Sequence, residues 1–156
     1  MDQLQANRRA GRSGDRRRFQ RGGRRAGDRP GKNPALLLAE SQPELRSLFA
    51  RYLGLLNFQV EAASTAADVL SALGRNRPAA VLIDSTLPGL PAWQLGVWMA
   101  ADRRAPRTPI IVLDGTDGDE LRVDPEFRPQ EVLQKPFPLS VMTDGIRRAL
   151  RACPPP

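Results

Sequence analysis

Short runs of consecutive apolar residues punctuate the chain from position 35 onward, with stretches of helical period between them. Ala35-Leu36-Leu37-Leu38-Ala39 is the first. A continuous apolar run of this length predicts a strand buried on both faces of a parallel sheet. Pro43 suits the first turn of a helix, and Leu45, Leu48, Phe49, Tyr52, Leu53 and Leu56 continue it at helical spacing. Phe58-Gln59-Val60-Glu61-Ala62 alternates, which predicts a second strand with one wetter face. Ser64 or Thr65 stands where a cap is needed for a second helix, whose apolar side carries Ala67, Val69, Leu70 and Leu73.

Ala79-Ala80-Val81-Leu82-Ile83 is a third strand and ends in Asp84. The turn Leu87-Pro88-Gly89 leads into a helix expected from about Ala92 to Arg103. Pro109-Ile110-Ile111-Val112-Leu113 is a fourth strand, ending in Asp114. Residues 114–130 are weakly patterned, and Pro125 and Pro129 limit any helix there. Val132-Leu133-Gln134 is a short fifth strand ending at Lys135, and Leu139, Val141, Met142, Ile146, Ala149 and Leu150 mark a last helix. Strands alternating with helices predict an α/β fold, a parallel sheet covered on both faces. Five such units in about 120 residues fit the flavodoxin-like strand order 2-1-3-4-5.

In such sheets the site lies beyond the carboxyl ends of the strands. Those ends carry Glu40, Asp84, Asp114 and Lys135, so three carboxylates and one ammonium are expected along one edge. In the third helix, Leu95 and Met99 facing the sheet would leave Val97 and Trp98 unable both to do so. Val97 and Trp98 are therefore a candidate contact surface.

Composition changes this picture in three ways. The 156 residues include no histidine and one cysteine, Cys153. Those two counts exclude a Ser-His-Asp triad, histidine-ligated zinc, a disulfide framework and any Cys-rich metal site. Net charge is +7, but it is segregated. Residues 1–34 hold ten Arg and Lys32 against three Asp, a balance of +8, whereas residues 35–156 hold 13 basic and 14 acidic groups. The arm, residues 1–34, is expected to be disordered, because Met1, Leu4 and Phe19 are its only sizeable apolar residues. Arg/Gly-rich segments of this kind suit non-specific contact with RNA or DNA phosphates. No apolar run reaches the length of a membrane span. Finally, 22 of the 24 basic residues are Arg, so Lys135, the one Lys after the arm, is an informative exception.

Three segments carry a resemblance to a known family: Leu36 to Arg46 (LLLAESQPELR), Val81 to Gly89 (VLIDSTLPG) and Val132 to Phe137 (VLQKPF). Over residues 35–152 the chain resembles the receiver domain of bacterial two-component response regulators, with residues 153–156 a Pro-rich tail. The resemblance implies the (βα)5 receiver fold and a bacterial cytoplasmic signalling protein rather than an enzyme. It implies that Asp84 is the phosphoacceptor, served by a histidine kinase or phosphotransfer protein. It also implies that Lys135 pairs with the phosphoryl oxygens and that Glu40 and Asp84 hold Mg²⁺.

The chain departs from the family's pattern at three places. Ser41 stands where a second acid serves the metal. Asp114 replaces the Thr or Ser whose hydroxyl turns toward the phosphoryl group. At about 5 Å and an effective dielectric of about 20, its charge opposes each unit of phosphoryl charge by about 3 kcal/mol. Asp114 is alternatively a third metal ligand that makes up for Ser41. Val132 replaces the aromatic residue that moves with the switch. The reading is an atypical, stand-alone receiver with output through protein contact, since few residues follow the last helix. A phosphorylation-independent pseudo-receiver adaptor and a nucleic-acid binder acting through the arm are the alternatives. A flavodoxin-type enzyme is disfavoured, because Glu40-Ser41-Gln42-Pro43 offers no glycine for a phosphate loop.

Overall fold

A computed structural model describes residues 33–102, 108–117, 124 and 126–153. Most of the basic arm, the end of the third helix expected at Arg103, Pro125 and residues 154–156 lie outside the described residues. The elements are β1 (Ala35–Ala39), α1 (Pro43–Leu55), β2 (Gln59–Ala63), α2 (Ala66–Arg75), β3 (Ala80–Asp84), α3 (Ala92–Ala101), β4 (Ile110–Asp114), β5 (Glu131–Gln134) and α4 (Leu139–Ala152). All five strands pair in parallel in the order β2-β1-β3-β4-β5. Among the described residues no helix lies between β4 and β5.

Alternation along the strands divides the core. Leu37, Val81, Ile83 and Val112 face α2 and α3, where they meet Val69, Leu95 and Met99. Leu36, Leu38, Leu82, Ile111 and Leu113 face the other way, against Phe49 and Leu53 of α1 and Met142 and Ile146 of α4. Pro43 opens α1 without a side-chain cap, while the Thr65 hydroxyl accepts the Asp68 N–H at 3.2 Å to cap α2. Gly89 turns the chain at φ 77°, a conformation that costs glycine little.

The crossover from β4 to β5 is anchored by one aromatic ring. Phe127 is buried in the α2–α3 side of the core, and it lies against the backbone of α3 at Gly96. A Cβ at position 96 would overlap the ring, so the helix offers a notch there. Further along, Phe137 stacks on Phe49 with ring centroids 5.7 Å apart, which ties the loop after β5 to α1.

Candidate functional site

The register brings the strand ends to one edge: Asp84 pairs with Leu113, and Asp114 with Gln134. Glu40 follows β1 and Lys135 follows β5. Glu40, Asp84 and Asp114 are each fully buried, at 0% exposure.

Lys135 joins two of the three acids. Its Nζ donates to Glu40 Oε2 at 2.8 Å and to Asp84 Oδ1 at 3.2 Å. The Lys135-Pro136 bond is cis. Glu40 Oε1 accepts the backbone N–H of Gln42 at 3.0 Å. Arg46, on α1, donates to the carbonyls of Glu40 and Ser41 at 2.9 and 3.2 Å, and so fixes the loop that presents both residues.

Asp84 is held by hydroxyls as well. Ser41 Oγ donates to Oδ2 at 3.0 Å. The Thr86 N–H reaches Oδ1 at 3.1 Å, and the Thr86 hydroxyl lies 2.9 and 3.0 Å from the two carboxylate oxygens. Asp114 forms a separate knot one strand away. Its Oδ1 accepts from Ser85 Oγ at 3.0 Å and from the N–H and hydroxyl of Thr116 at 2.9 and 2.8 Å. Thr86, Ser85 and Thr116 escaped the pattern reading, although a hydroxyl residue one or two places after a strand-end Asp is the signature of a side-chain-closed turn.

Burial pushes the Asp84 carboxyl up. The Thr86 N–H, the Lys135 charge and the hydroxyls of Thr86 and Ser41 outweigh it and leave the group below its ordinary value. A depressed folded-state value means that Asp84 stabilises the fold most fully above the unfolded-state value. That contribution falls away as pH drops through the folded one. The urea midpoint is therefore expected to decline below about pH 4, and Asp84→Asn to show a shallower decline. Equal slopes in both proteins would refute this assignment.

Receiver domains generally bind Mg²⁺ at the phosphorylation site, and the donor set here does not fit that ion. An ionised carboxylate offers about four lone-pair sites. Those of Asp84 accept from Thr86, Lys135 and Ser41, and each oxygen of Glu40 also has a donor. The space between the two acids is bridged by the Lys135 ammonium. Asp114, the candidate third ligand, points its Oδ1 at Ser85 and Thr116 instead. Among the described residues no group of three such side chains is placed to hold a metal ion.

The remaining candidate residues lie elsewhere. Val97 and Trp98 on α3 are 50% and 44% exposed, while Leu95 and Met99 are buried against the sheet. Val132 on β5 is 43% exposed. No helix among the described residues is long and apolar enough to cross a membrane.

The parallel sheet in this order carries buried acids and a lysine beyond its carboxyl edge. The described domain has the fold of response-regulator receiver domains. The chain is similar to the transcriptional regulatory protein GltR of Pseudomonas aeruginosa, with 30% identity over 118 residues, 75% of this chain and 49% of that protein. It is also similar to the transcriptional activator protein PfeR of the same organism, 30% identical over 76% of this chain and 39% of PfeR. The chain thus spans half or less of the length of these curated relatives. Among solved structures, the signal receiver domain of a signal transduction histidine kinase from Syntrophus aciditrophicus matches with TM-score 0.71 and 18% identity. That match covers 79% of this chain and 94% of that one. The chemotaxis response regulator CheY4 of Vibrio cholerae matches with TM-score 0.65 and 17% identity, over 76% and 100% of the two chains. No family model matches the chain.

Proposed function

We propose that this domain is a phosphate-independent receiver, a scaffold that takes part in bacterial cytoplasmic two-component signalling through protein contact. The observation that carries the reading is the closure of Asp84, which has no exposed surface and hydrogen bonds on both oxygens. A carboxylate that attacks phosphorus must aim a lone pair along the bond that breaks. Here that demands the loss of several hydrogen bonds beside a second buried carboxylate, Asp114. The outer face of α3 suits the contact role. Residues 92–101 carry no charge, and Val97 and Trp98 stand out from that helix.

One observation favours a second reading, a receiver that is phosphorylated on Asp84. Lys135 Nζ lies 3.2 Å from Asp84 Oδ1, which supports its pairing with a phosphoryl group carried there. In that reading an Asp84 oxygen displaces the phosphoryl group from a histidine of a kinase or phosphotransfer protein. The new P–O bond forms as the P–N bond breaks, and the freed imidazole nitrogen takes up a proton.

Incubation with acetyl phosphate and Mg²⁺, followed by intact-mass measurement, separates the two. The scaffold reading expects the mass unchanged. Addition of one phosphoryl group, absent from Asp84→Asn, would instead establish the second reading.

A further inference from the structure

We propose that Lys135 is the resident cation of this site and that Ser41 completes it, so that the acidic centre works without a divalent metal. The proposal concerns the same site as the scaffold reading. It is tested without a phosphoryl donor, so each can fail alone.

Glu40 and Asp84 are neighbouring carboxylates with no solvent contact, and two such charges need a cation close to both. The Lys135 ammonium meets that need at 2.8 and 3.2 Å, and it is itself only 16% exposed. A Mg²⁺ ion would have to approach carboxylate oxygens to about 2.0–2.1 Å in octahedral geometry while keeping several waters. The ammonium bridges the two carboxylates where such an ion would be expected to sit.

Ser41 completes the site through its hydroxyl. A carboxylate at position 41 would raise the excess of negative charge over the single Lys135 ammonium from one to two. The Ser41 hydroxyl does the reverse, because it donates a proton to Asp84 Oδ2 at 3.0 Å. With Thr86, it turns the remaining Asp84 lone pairs toward protein donors. Arg46 fixes the loop that aims Ser41, through the carbonyls of Glu40 and Ser41. The chain's preference for Arg makes the choice of lysine pointed, because an ammonium is a compact point charge whereas a guanidinium is a planar fork of donors.

The test uses the full chain, Mg²⁺ and Mn²⁺, and two measurements, titration calorimetry and thermal melting. For the natural sequence, no saturable heat is expected at millimolar metal, and the melting temperature should be the same in Mg²⁺ as in a chelator. Lys135→Gln vacates the space between the acids, so Mg²⁺ should raise its melting temperature. Ser41→Asp restores a carboxylate, so it should acquire saturable metal binding. Circular dichroism confirms that each variant is folded. Saturable binding by the natural sequence that is lost in Glu40→Gln would overturn the proposal. It would also be overturned if Lys135→Gln and Ser41→Asp, both folded, stay as indifferent to metal as the parent.

Discussion

Replacing Lys135 with methionine is expected to lower the unfolding free energy by about 3–5 kcal/mol, the cost of breaking a buried ion pair from one side. The size of the effect follows from what is left behind. Glu40 and Asp84 stay fully buried, and the ammonium that bridged them is gone. Their hydrogen bonds to Gln42, Ser41 and Thr86 remain, yet neutral donors do not cancel two like charges in a poorly solvated space. The protein responds by binding a proton, so the deficit should shrink as pH falls, the opposite of the parent's trend near its acid limit. Adding Glu40→Gln to Lys135→Met should recover much of the loss, since it removes the charge left unpaired. Urea unfolding of the two single variants and the double variant measures this directly. A loss below about 1 kcal/mol for Lys135→Met, the scale of a solvated surface pair, would show that the bridge is not buried in effect.

Gly96→Ala is expected to cost about 1–3 kcal/mol, although alanine is the better helix former. Glycine in a helix interior ordinarily forfeits up to about 1 kcal/mol relative to alanine. At position 96 that gain is overwhelmed, because the new methyl would occupy the space of the Phe127 ring. Either the ring leaves the core beside Met99 and Leu95 or α3 moves off the sheet. Gly54, in α1, is the matched control: a Cβ there meets nothing within 4 Å, so Gly54→Ala should be neutral or slightly stabilising. Thermal or urea unfolding compares the pair. Equal behaviour of the two variants would remove the notch from the account of how the β4–β5 crossover is held.

The sheet was legible in the sequence because each strand is an unbroken or alternating apolar run with a polar stop. Strand limits moved by about one residue; β2, β3 and β4 each begin one position later than the pattern suggests. The convergence of Glu40, Asp84 and Lys135 was legible for the same reason, since a parallel sheet gathers its strand ends. What the pattern could not supply is direction. Asp114 occupies a strand end like the others, but Ser85 and Thr116 capture it, and hydroxyls one or two residues from a strand leave no periodic trace. Ser41 reads in the sequence as a missing ligand, whereas in three dimensions it is a proton donor to Asp84. The Gly96–Phe127 contact joins positions 31 residues apart through the absence of a side chain, and no hydrophobic count registers an absence.

The two outermost strands set how this molecule behaves when crowded with copies of itself. Among the described residues, β2 and β5 each leave one row of backbone N–H and C=O groups without a neighbouring strand. Such rows are templates on which further chains can add and grow into fibres. Both strands are short, five and four residues, and each carries a glutamate tied to an arginine on the adjoining helix. Glu61 pairs with Arg75 at 2.6 Å, and Glu131 with Arg148 at 2.8 Å. A strand approaching either edge must desolvate one of these charge pairs before it gains a single ladder bond. Edge-to-edge polymerisation is thereby discouraged at both ends of the sheet.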